Sequence, residues 1–119
     1  MIAPAKAWSF VYLPRFCEFA SCPAAKADLH LRMRSDQILG ANVTVPHKET
    51  VIPLLDNIDD MAHRIGAVNT IVNRQGILSG YNTDARGFIR ACHADGNLDL
   101  KNKRVLILGA GGAARAVAF

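Results

Sequence analysis

VLILGAGGAARAVAF, residues Val105–Phe119, decides the class of fold. Val105–Leu108 is a continuous apolar run behind Lys103 and Arg104, the pattern of a parallel strand buried on both faces. Gly109, Gly111 and Ala114 then fit the spacing G-x-G-x-x-G/A, in the strand–turn–helix setting that gives such a match its weight. The first glycine allows a tight turn, the second lets backbone approach a pyrophosphate, and the small Ala114 lets helix and strand pack closely. The helix start behind them favours anionic oxygens. Gly109, Ala110, Gly111, Gly112 and Ala113 are therefore candidate contacts to a dinucleotide, the alternative being an ordinary glycine-rich strand-to-helix turn. The residue that tells a ribose hydroxyl from a 2′-phosphate lies ~20 positions beyond such a loop, so the turn itself does not choose between NAD and NADP.

Upstream, strands and helices alternate, which argues an α/β fold. Trp8–Leu13 is aromatic and β-branched and ends at Pro14, a strand. Ala24–Arg34 has helix-forming composition, with Ala25, Leu29 and Met33 on one face and Gly40 as a stop. Ala41–Val45 is a second strand, halted by Pro46, and His47–Ile52 opens a short helix behind that proline. Asp56, with Asp59, resembles an N-terminal cap and Gly66 a C-terminal one, bracketing a helix that ends near Ile65. Ala67–Val72 and Ile77–Ser79 flank Asn73-Arg74-Gln75-Gly76, so a hairpin with a left-handed Gly76 is expected. Asn82-Thr83-Asp84 caps a helix to about His93, with Phe88, Ile89 and Cys92 on one face, and Gly96 closes it. The expected architecture is a mixed, mostly parallel sheet with flanking helices over residues 1–100, followed over residues 101–119 by the first strand, loop and helix of a Rossmann unit.

Composition narrows the function. Of 119 residues, 50% are apolar and 20% charged, an ordinary globular balance rather than that of a disordered chain. The formal charge of +4, from 14 Lys plus Arg against 10 Asp plus Glu, is scattered. It lacks the clustering and aromatic interleaving of a nucleic-acid surface, and a mild positive field suits an anionic small molecule or a phosphorylated cofactor. No stretch reaches the ~20 apolar residues of a membrane span, and Ala7–Leu13, cut by Pro14, reads as a strand rather than a signal peptide. Cys17, Cys22 and Cys92 form no C-x-x-C pair and read as reduced thiols, so the cytoplasm is the expected compartment and no metal is expected.

Three other stretches concentrate polar groups: NVTVPHKE (Asn42–Glu49), GAVNT (Gly66–Thr70) and GYNTDARGF (Gly80–Phe88). Asn42 and Thr44 share one strand face by the period of two. Singly, Asn69 is a turn residue, Asp84 a helix cap and Lys48 a solvated lysine; together, beside a dinucleotide loop, they read as groups delivered to one point. A positioned ammonium can stabilise and protonate an oxygen on which negative charge builds, with a carboxylate to orient it. Asn and Thr donate and accept hydrogen bonds without adding charge.

In this order and spacing, NVTVPHKE, GAVNT, GYNTDARGF and GAGGAARA resemble shikimate dehydrogenase, from about Gly40 to the last residue. The resemblance implies an NADP-dependent oxidoreductase interconverting 3-dehydroshikimate and shikimate, on the route to chorismate and the aromatic amino acids. It implies Lys48 as the catalytic lysine, Asp84 as its partner, Thr44, Asn69 and Asn42 as substrate contacts, and Gly109, Ala110, Gly111, Gly112 and Ala113 as the cofactor loop. The alternatives are a quinate/shikimate dehydrogenase using NAD, and an inactive fragment acting at most as a binding module. The expected partner is a small molecule, with neither nucleic acid nor membrane, and a homodimer is left open. Family members carry a Ser-x-Ser-Pro motif upstream of the strand that Phe10–Pro14 resembles; this chain has no room for it, and Ser21-Cys22-Pro23 comes after that strand. An internal segment is therefore expected, most of a substrate domain and the threshold of the next. Catalysis by this length alone is not expected, and Val105–Leu108 is left without covering neighbours.

Overall fold

A computed structural model describes residues 12–13, 16–19, 32–94, 96 and 98–119, with side chains from residue 32 onward. Six strands form one sheet: β1 (Tyr12–Leu13), β2 (Phe16–Phe19), β3 (Gly40–Val43), β4 (Asn57–Ile58), β5 (Thr70–Arg74) and β6 (Ile77–Tyr81), in the order β1-β2-β3-β5-β6-β4. Among the described residues it is accompanied by α1 (Asp60–Ile65), α2 (Asp84–Ala94) and α3 (Gly112–Ala118). The mixed α/β class is the expected one. The balance within the sheet differs from expectation: β2–β3 and β4–β6 are parallel, while β1–β2, β3–β5 and β5–β6 are antiparallel. The β5–β6 hairpin causes this, because it inserts itself between β3 and β4 and a tight turn can only join antiparallel strands.

That hairpin turns as its sequence asks. Gln75 and Gly76 both take positive φ, 53° and 83°, the pair of conformations a two-residue type I′ turn requires. Asn73 anchors it from within. Its side chain is buried; the two N–H bonds of Nδ2 are shared among the carbonyls of Met33, Ser35 and Ile38, at 2.7, 3.0 and 2.9 Å, and Oδ1 accepts the Gly76 N–H at 2.8 Å. The segment before β3 is thereby tied to the turn. The main core gathers Met33, Ala41, Val43, Val51, Ala62, Val68, Ile71 and Leu78 between sheet and α1. A smaller second core of Ile65, Ala67, Ala85 and Ala116 brings α1, α2 and α3 together.

Several expectations shift in detail. Asp59 caps α1, accepting the Met61 N–H at 3.1 Å, and Gly66 closes the helix at φ 71°. Asp56 instead grips Arg34 through both guanidinium nitrogens, at 2.7 and 2.9 Å, and accepts the Leu78 N–H. The strand expected to reach Val45 stops at Val43, because Thr44 turns the chain by accepting the His47 N–H at 2.8 Å. In place of the helix expected over His47–Ile52, residues 48–51 are a run of turns, and a short 3-10 helix follows at Ile52–Leu54. Pro53, with no N–H to donate, prevents the longer α-helix. Residues 8–11 of the expected first strand and 24–31 of the expected first helix lie outside the described residues; Arg32 and Met33 are helical.

The largest correction concerns Val105–Leu108. Expected as a strand buried on both faces, it is irregular backbone, with Leu106 and Leu108 84% and 88% exposed. A parallel strand needs ladder partners, and among the described residues none lies alongside it. The helix after the glycine turn does form, as α3.

Candidate active site

The sheet register brings three chain segments to one edge. Asn42 of β3 pairs with Thr70 of β5, which pairs with Tyr81 of β6. The end of β3, the entry to β5 and the exit of β6 therefore emerge side by side. Just outside that edge, the carbonyl of Lys48 accepts the Val68 N–H at 2.7 Å, clamping the lysine turn to GAVNT. Asn69 continues the clamp: its carbonyl accepts the Val43 N–H at 2.7 Å and its N–H donates to Tyr81 at 3.0 Å.

On this frame the side chains converge. Lys48 Nζ donates to Asp84 Oδ2 at 2.5 Å, although 36 positions separate the two residues. The lysine side chain is only 13% exposed and the aspartate 34%, so the ion pair opens to solvent on the carboxylate side. Asn69 Nδ2 donates to Asp84 Oδ1 at 2.7 Å and to Thr83 Oγ1 at 2.9 Å. Its Oδ1 accepts from the Thr83 N–H and from Thr70 Oγ1, both at 3.0 Å. A carboxamide has two N–H bonds and two lone pairs, and in Asn69 all four are engaged. Thr44 and Asn42 lie exposed on the outward face, and no hydrogen bond joins them to this network.

Two contributors were not singled out from the sequence as site residues. Thr83 bonds Asn69 through both main chain and hydroxyl; its place inside Asn82-Thr83-Asp84 was the available signal, read only as a helix cap. Asn82, 4% exposed, donates to the Ala67 carbonyl at 2.9 Å and accepts the Asp84 N–H at 3.0 Å. It thus fastens the start of α2 to GAVNT and sets where the Asp84 carboxylate stands. Helix starts leave N–H groups without intrahelical partners, and this bond satisfies one.

The glycine turn lies against the same centre. Gly109 has φ 126°, closed to most side chains, and the turn is exposed from Gly109 to Gly111. A Cβ added at Gly111 would meet nothing within 4 Å, whereas one at Gly112 would press on Ala67 and Lys48. The backbone is thus open at Gly111 and closely packed at Gly112. Among the described residues no helix is long and apolar enough to cross a membrane, and no group of three or more His, Cys, Asp or Glu is placed to hold a metal.

The chain resembles known proteins in sequence and fold. A family model described as the shikimate dehydrogenase substrate binding domain matches residues 15–71. A shikimate dehydrogenase (NADP(+)) of Moorella thermoacetica is 65% identical over 80 residues, 67% of this chain and 27% of that protein. One from Geobacillus sp. strain WCH70 is 55% identical over 95 residues, 80% of this chain and 34% of that protein. The crystal structure of shikimate 5-dehydrogenase from Thermus thermophilus in complex with NADP(H) and shikimate superposes with a TM-score of 0.74 and 43% identity, covering 82% of this chain and 36% of that one. The chain thus spans about a third of the length of the relatives it matches. Over the part they share, the chain is similar in fold and in sequence to the shikimate dehydrogenases.

Proposed function

We propose that this chain forms the substrate-holding part of an NADP-dependent shikimate dehydrogenase, with Lys48 as proton donor and Asp84 as its orienting partner. The observation that carries the reading is the meeting of Lys48 and Asp84 at 2.5 Å beside Asn69, at the mouth of a sheet edge. Lys48 donates a proton to the ketone oxygen of 3-dehydroshikimate and stabilises the charge that grows there; in the reverse direction it accepts one from the shikimate hydroxyl. A general acid–base group of this kind contributes roughly 10²–10⁴ in rate. Asp84 holds the ammonium in place, and its exposed side is free to accept a neighbouring ring hydroxyl. Asn69 supplies a further polar contact to the ring, and Thr44 and Asn42 face outward where the ring's far side would lie. Gly109, Ala110, Gly111, Gly112 and Ala113 would hold the pyrophosphate of NADP, which when bound supplies the hydride. The substrate is thus a small polyhydroxylated acid, and the cytoplasm suits a chain with this cofactor.

The test compares the purified chain with a version continued by the cofactor portion of the Moorella relative, assayed with shikimate against NADP and against NAD. In the continued version Lys48→Ala lowers kcat by roughly 10²–10⁴ and moves KM for shikimate only a few-fold. An unchanged kcat in that variant overturns the role of Lys48.

A further inference from the structure

The glycine turn and the lysine are packed together. At Gly112, the first residue of α3, an added Cβ would lie 3.0 Å from Ala67 Cβ, and 3.2 and 3.3 Å from Lys48 Cβ and Cδ. One residue earlier, at Gly111, it would meet nothing within 4 Å. The backbone of α3 is thus the wall against which the lysine's aliphatic stem lies. A second tie runs alongside. Arg115 Nη2 pairs with Glu49 Oε2 at 3.2 Å, and Arg115 Nε donates to the Ala110 carbonyl at 3.1 Å. One arginine therefore joins the glycine turn to the residue that follows Lys48. Ala116 completes the seat in the small core with Ala67 and Ala85, the latter adjacent to Asp84.

We propose that Gly112 and Arg115 are positioning residues for Lys48: α3 confines the lysine stem so that its ammonium reaches Asp84. Lysine carries a flexible four-carbon stem, and a short stretch of turns does little to fix its tip. Close packing on one side and a counter-ion on the other leave few rotamers that satisfy both. The catalytic consequence rests on the proposed function above, but the contact does not depend on it. Two glycines one position apart divide the work: Gly111 leaves space for a ligand, and Gly112 leaves space for the lysine.

Competitive acylation of the native chain, mapped by mass spectrometry, reads the position of the Lys48 amine, with Lys101 and Lys103 as exposed internal references. Gly112→Ala pushes the stem away from its wall and raises labelling of Lys48 severalfold, as does Asp84→Asn, whereas Gly111→Ala leaves it unchanged. Arg115→Glu, set against Glu49, lifts the same helix by charge instead of bulk and also raises labelling, and the swap Glu49→Arg with Arg115→Glu restores protection. If Gly112→Ala loses the native circular dichroism spectrum, the Arg115→Glu and swapped variants decide alone. Wild-type labelling of Lys48 in native Gly112→Ala, or in Arg115→Glu, overturns the proposal. In the version carrying a cofactor portion, Gly112→Ala lowers kcat while KM for shikimate holds. Absence of turnover in every version, with the labelling pattern intact, would fault the proposed function and leave the positioning role standing.

Discussion

Replacing Asn82 with alanine tests how the site is fastened together. The side chain is 4% exposed and makes two hydrogen bonds, to the carbonyl of Ala67 at 2.9 Å and from the N–H of Asp84 at 3.0 Å. Losing the bond from Asp84 costs ~1 kcal/mol, and leaving the carbonyl of the fully buried Ala67 without a partner costs ~1–3 kcal/mol. The helix-start contribution, ~0.5–2 kcal/mol for such caps, is the Asp84 bond seen another way and is not counted again. The expected destabilisation is ~2–4 kcal/mol, a large part of the ~5–15 kcal/mol that holds a domain folded. At ~3–6 °C per kcal/mol for a chain of this size, the melting temperature falls by ~6–24 °C. Urea unfolding followed by circular dichroism gives the free energy directly. A change below ~0.5 kcal/mol, the scale of an inert surface substitution, would refute the account of Asn82. Asn82→Asp adds a check of sign. Its carboxyl would face the Ala67 carbonyl in a buried site, which raises the folded-state pKa above the unfolded ~3.9. The neutral acid can still donate there, so the penalty is smallest in acid. It grows as pH rises through the unfolded value and is complete above the folded one.

Other perturbations have equally definite outcomes. Asn73→Ala strands carbonyls of the 33–38 segment and frees the hairpin turn, costing ~2–4 kcal/mol in the same unfolding assay and raising hydrogen exchange at Gly76. Leu106→Glu with Leu108→Lys breaks the exposed apolar run; sedimentation velocity of the purified chain then shows less self-association than the parent at equal concentration, since exposed apolar stretches drive it. An unchanged distribution would mean that the run is covered in solution.

Local punctuation was legible in the sequence, and so was the meeting of Lys48 with Asp84. Gly76 needed a left-handed turn and Gly66 a helix stop, and both positions take positive φ for reasons confined to a few residues. Asp56 misled because an acid before a helix looks like a cap, while the competing partner, Arg34, lies 22 positions upstream. Such pairing depends on topology that local pattern does not carry. At Val105–Leu108 the expected strand does not form, while the expected lack of covering neighbours is what leaves Leu106 and Leu108 exposed. The polar centre was found through combined motifs, yet its inner fastening by Asn82 and Thr83 was hidden, because capping residues look alike whether they close a helix or also hold a partner segment.

Asn69 imposes a rule on anything that enters this cleft. With each valence of its amide already taken, an arriving hydroxyl fills no vacancy; it must trade places with a threonine or with Asp84. Such an exchange is nearly neutral in free energy, so the residue contributes little to how tightly a guest is held. What it contributes is discrimination: a ring oriented to replace the departing bond is accepted without loss, and an epimer presenting its oxygen elsewhere leaves a broken bond behind.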